Sequence, residues 1–124
     1  AHELELMRLA LTAQGGRSLL LRATEGEAFA NPFARPRMEH WHAGEAQVLF
    51  DDDAPLARRG SALPPALDAR ATAQWIRQAC NGARAVPAPI VNQLAACLYA
   101  IGYCDDFNQA KALAAIASAG RHVA

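Results

Sequence analysis

The sequence predicts an α+β domain: an N-terminal helix and a small antiparallel β hairpin or three-stranded patch, followed by a C-terminal three-helix bundle. Three observations carry this. Apolar residues recur at helical spacing in the first fourteen residues and again after Pro64-Pro65. Between Arg37 and Phe50, Met38, His40 and His42 alternate with Glu39 and Trp41 ahead of Gly44 and the run Ala46 to Phe50, as the two arms of a hairpin do. The last sixty residues are divided by helix-start residues and glycines into three segments of helix length. At 124 residues, 52% hydrophobic and 19% charged, the chain has the length of one domain and lies far from the composition of disorder. We read 1–124 as a single domain with a mixed subregion over 1–60 and a helical one over 61–124.

The first helix is expected over His2 to Gln14, where Leu4, Met7 and Leu11 keep helical spacing and Gly15-Gly16 stops the run. Ser18 to Thr24 is a short apolar run between turn residues, which suits a buried strand. Pro32 and Pro36 then deny a regular helix. Arg37 to Ala43 and Ala46 to Phe50 pair as a hairpin about Gly44. Asp51-Asp52-Asp53, Pro55, Arg58-Arg59-Gly60 and Pro64-Pro65 form an exposed connector without apolar period.

Beyond it, one helix runs from about Ala66 to Cys80 and is expected to bury Leu67, Ala71, Trp75, Ile76 and Ala79 before Asn81-Gly82. A second starts at Pro89 and presents Ile90, Leu94, Cys97, Leu98 and Ile101 to the core, ending at Gly102. A third is capped by Asp105, presents Phe107, Ala110, Leu113, Ala114 and Ile116, and ends at Gly120.

Formal net charge is zero, so no whole-molecule field gathers nucleic acid or an anionic membrane. Three cysteines, an odd number, point to a reducing, cytoplasmic setting without a disulfide framework. No apolar run approaches the roughly 18 residues of a membrane span. Because residue 1 is Ala and not Met, a removed leader would leave no trace.

The cluster with most chemical content is His40-Trp41-His42-Ala43-Gly44-Glu45. On a strand His40 and His42 share a face and Glu45 returns from the turn, so two imidazoles and a carboxylate are candidate ligands for a divalent transition metal. The string is similar to the first metal motif of the cupin barrels, with two histidines two apart and a glutamate following. It departs from that pattern in a glutamate that comes too soon, Asp51-Asp52-Asp53 in place of the next strand, and no second histidine-bearing half, so the family is not carried over. The ordinary reading, partly exposed strand histidines beside Trp41, outranks a metal centre.

Cys104 precedes a helix N-terminus, which favours a thiolate, but Asp105 and Asp106 oppose it as like charges, and an incidental role ranks higher. The acidic triplet lacks the interleaved spacing of a calcium loop. Helix, turn, helix over Asn92 to Ala117 invites comparison with a DNA reader. Its second helix offers only Asn108, Gln109 and Lys111, with Asp105 and Asp106 where phosphate would lie, so DNA ranks below protein. Arg17, Arg22, Arg35, Arg37, Arg58 and Arg59 make a separate basic face for a nucleic-acid alternative.

The expected function is therefore a small non-catalytic protein-binding domain of the adaptor, inhibitor or immunity type, with a protein partner or a second copy bound through Trp41, Phe107, Leu113 and Ile116. The alternatives are a small metal-dependent enzyme using His40, His42 and Glu45, and a nucleic-acid-binding protein.

Overall fold

The computed structural model describes residues 2–23, 35–52 and 68–120. Helix α1 (His2–Ala13) leads to strands β1 (Arg17–Leu21), β2 (Met38–His42) and β3 (Glu45–Phe50), and then to helices α2 (Ala69–Cys80), α3 (Ala88–Ala100) and α4 (Phe107–Ser118). The expected α+β order is what the chain adopts. The sheet is antiparallel in the order β1-β2-β3, which makes β2 its centre. Thr24, Pro32, Asp53, Pro55, Arg58, Arg59, Gly60, Pro64, Pro65, Ala66 and Leu67, which figure in the sequence reading, lie outside the described residues.

Register decides which side chains share a face. Leu21 lies opposite Met38, Leu19 opposite His40 and Arg17 opposite His42, while Leu20 faces Glu39 and Ser18 faces Trp41. Because strand side chains alternate, Met38, His40 and His42 occupy one side of β2 and Glu39 and Trp41 the other. The first side is the core: Met38 and Ala96 of α3 are fully buried, with Leu19, Leu21, Leu49 and Phe50 packed around them. α4 joins through Ala110 and Ala114, both fully buried. On the other side Arg8 of α1 reaches the buried Glu39.

Both faces of β2 are thus covered, and four of its five residues are buried, the outermost His42 excepted. Its turn to β3 is two residues, Ala43 and Gly44, both at positive φ (53° and 82°). That is the mirror-image turn matching strand twist, although it carries none of the usual Asn-Gly or Asp-Gly pairs. A Cβ at position 44 would stand 2.8 Å from the Thr12 carbonyl oxygen, so glycine there lets the turn lie against the end of α1.

The helices begin close to where the caps predict. Asp68 accepts from the Arg70 backbone N–H, and Asp106, one residue later than expected, accepts from that of Asn108. The buried faces differ from expectation. α2 buries no residue, and Ile76 is half exposed. α3 buries Ala95, Ala96 and Ala100, leaving Leu94 and Cys97 exposed, with Ile101 exposed just past its end. α4 buries Ala110, Ala114 and Ser118 and leaves Leu113 and Ile116 outside. The cause is spacing: small side chains let α3 and α4 approach each other and the sheet closely, and the larger residues turn away from so narrow a gap.

Candidate functional site

Two groups of side chains on opposite sides of β2 carry the chemistry of the described residues. On the α3 side, the His40 and His42 rings lie nearly parallel with centroids 6.2 Å apart, as their two-residue spacing requires. Glu45 stands directly opposite His42 in the hairpin register. His40 and His42 thus share a sheet face, and Glu45 pairs with His42 across the hairpin. Among the described residues no group of three or more His, Cys, Asp or Glu is arranged to hold a metal ion.

His40 is instead built into the sheet–helix junction. It is buried, its ring meets the edge of Tyr99 at 5.3 Å between centroids, and Nε2 has no hydrogen-bond partner among the described residues. Tyr99 in turn donates its hydroxyl to Gln47 Oε1 at 2.9 Å and touches Phe107, which packs edge-on against Phe50. Burial, and then the neighbouring charges of His42 and Arg17, push the His40 imidazole below its ordinary value of 6.5, with the Ala100 backbone working the other way.

The sign of its effect follows. Over the range between that lowered value and 6.5 the unfolded chain binds a proton that the folded chain does not. Stability from His40 is therefore complete above 6.5 and is lost as pH falls below it, at up to about 1.4 kcal/mol per pH unit. Urea unfolding followed from pH 7.5 to 5.5 should show the loss, and His40→Gln should flatten that part of the profile.

On the α1 side the centre is Glu39, 3% exposed. Arg8 Nε donates to Oε1 and Oε2 at 3.1 and 3.2 Å, and Arg8 Nη2 donates to Oε2 at 2.7 Å. Arg37 Nε lies 3.2 Å from the same Oε2, and the Trp41 indole N–H donates to Oε1 at 3.2 Å. Arg8 reaches back through Nη1 to Glu5 at 3.0 Å. The Arg8 hydrogen bonds hold the Glu39 carboxyl below its ordinary range, with Trp41 and the charges of Arg8 and Arg37 adding to them and burial opposing.

Above this group a cleft of about 260 Å³ opens between α1 and the sheet. Its walls include Leu4, Leu20 and Leu21, and its charged lining adds Glu5, Arg22 and Asp52 to Arg8, Arg37 and Glu39. The sequence reading passed over this group. Its signal is a carboxylate in the middle of an apolar strand, which demands a cationic partner wherever both faces are covered.

No family model matches the chain. Over 88 residues, 71% of the chain, it is 36% identical to the Escherichia coli (strain K12) protein YbiB, which is uncharacterized. Those residues make up 27% of YbiB, so the chain spans about a quarter of the length of that relative.

The four residues expected to contact a partner fall into two sets. Trp41 is buried with its indole on Glu39, and Phe107 lies half-buried between Tyr99 and Phe50 with Lys111 Nζ 5.1 Å over its ring. Leu113 and Ile116 are exposed on α4, at 37% and 75%. A second apolar surface, absent from the sequence reading, is the outer side of α1. Leu4, Arg8 and Leu11 turn partly inward, while Leu6, Met7 and Leu9 are 52%, 52% and 67% exposed. Cys104 is buried beside the start of α4. No helix among the described residues is long and apolar enough to cross a membrane.

Proposed function

We propose that the chain is a non-catalytic protein-binding domain whose contact surface is the outer side of α1, extended by the exposed apolar residues of α4. The observation that carries this reading is the exposure of Leu6, Met7 and Leu9 on a helix that buries none of its own residues. A helix with apolar residues on several sides ordinarily lies inside a larger packing, and here one side has no cover among the described residues. The alanines of α4 support it less, since Ala110 and Ala114 are taken up inside the fold. The similarity to a stretch of a protein almost four times as long supports a unit that works packed against further protein.

The test is a paired substitution, Leu6→Glu with Leu9→Glu. These positions face solvent and glutamate is a good helix former, so the domain should stay folded by far-UV circular dichroism. Co-purification of a stoichiometric partner, or self-association in sedimentation, should be at least tenfold weaker in the variant than in the parent. A parent that sediments alone, with no companion and no response to the substitutions, ends this reading.

A second reading, nucleic-acid binding, is favoured by one observation. Arg70 and Arg77 of α2 are exposed, two helical turns apart with Gln74 between, and neither forms an ion pair among the described residues. Of the arginines first read as a basic face, Arg35 lies on the Asp51 carbonyl, Arg37 at Glu39 and Arg17 against Gly102, while Arg22 is exposed. Salt-sensitive retention on a polyanion column supports it, and flow-through at low salt dismisses it.

A further inference from the structure

The cleft over Glu39 has a balanced and divided charge. Its three guanidinium groups, Arg8, Arg22 and Arg37, match its three carboxylates, Glu5, Glu39 and Asp52, so neither a simple anion nor a simple cation finds a net field there. The floor is closed on itself, because Arg8 and Arg37 both converge on Glu39 Oε2. What remains for a ligand lies at the rim. Arg22 is exposed and makes no hydrogen bond among the described residues. Glu5 and Asp52 each engage one named oxygen, Oε1 with Arg8 and Oδ1 with the Arg37 backbone N–H, which leaves a second carboxylate oxygen on each. The apolar lining on this face of the sheet is Leu4 and Leu20, while Leu21 contributes from the strand with its side chain turned to the core.

We propose that this cleft binds a small zwitterion with an aliphatic body, of the class of a free leucine-like α-amino acid. The carboxylate meets Arg22, the ammonium meets the free oxygens of Glu5 and Asp52, and the side chain lies on Leu4 and Leu20. Each charged end then forms a charge-assisted hydrogen bond of the strong kind, while the apolar wall supplies contact area. The volume of about 260 Å³ falls just under the range of drug-sized pockets, so the ligand is small and its dissociation constant lies in the millimolar decade.

The test is a titration of the folded chain with L-leucine, followed by amide NMR shifts at Leu20, Arg22 and Glu39. N-acetyl-leucine removes the ammonium, leucinamide the carboxylate and glycine the aliphatic body. Leucine should give saturable shifts at these residues, and each of the other three should bind at least about tenfold more weakly, the loss of one charge-assisted contact. Arg22→Gln leaves the Arg8–Glu39–Arg37 group untouched and should reduce leucine to the affinity of leucinamide. Absence of saturable shifts with leucine overturns the proposal. So do equal affinities for leucine and N-acetyl-leucine, or an unchanged leucine affinity in Arg22→Gln.

Discussion

Glu39→Ala should destabilise the domain by about 3 kcal/mol or more, since it leaves Arg8 and the Trp41 indole without their buried acceptor. The carboxylate is almost fully enclosed, but Arg8 is about a third exposed, which holds the effect toward the lower end for a broken buried pair. Chemical denaturation of the parent and variant measures the difference. Removing both charges in an Arg8→Met, Glu39→Leu double variant should recover a large part of the loss, because an uncompensated charge is worse than an apolar pair of similar volume. A double variant no more stable than Glu39→Ala would show that the contact is packing and not electrostatics. The parent should also lose this stability in acid: the lowered Glu39 carboxyl keeps its contribution complete above the ordinary value of 4.5 and loses it as pH falls through the folded-state value.

Met38→Ala comes next in size, with an expected loss of about 2 to 4 kcal/mol. Met38 is fully buried at the meeting of β2, α3 and the flanking leucines, so truncation leaves a void that the rigid sheet cannot close. Met38→Leu, which nearly conserves volume, should cost less than about 1.5 kcal/mol. The same denaturation experiment separates the two, and equal losses would mean that the side chain's shape, not its volume, is what the core requires.

These residues show how much of the molecule was legible in sequence. Element order was, because helix-start residues and periodicity are local: the starts read near Ala66, at Pro89 and at Asp105 fall within about three residues of the observed caps Asp68, Pro87 and Asp106. The buried face of α3 was not, and that of α4 was legible in Ala110 and Ala114 but not in the exposure of Leu113 and Ile116. A sequence reader ranks Leu94, Ile101 and Ile116 above alanine as core, but burial depends on how near the next element lies, and closely approaching helices reward Ala96, Ala110 and Ala114 instead. The shared face of His40 and His42 was legible from strand geometry. Glu39 was hidden because its partner Arg8 lies 31 positions away on an element whose position against the sheet no local pattern encodes.

The anchoring of α1 has a consequence for motion. The helix buries no side chain, and its strongest named attachment is a single guanidinium on a single carboxylate. Its opening should thus be a local event, well below the free energy at which the sheet and α3 come apart. Its backbone amides should exchange with deuterium sooner than those of β2, and faster still as added salt screens the Arg8–Glu39 pair.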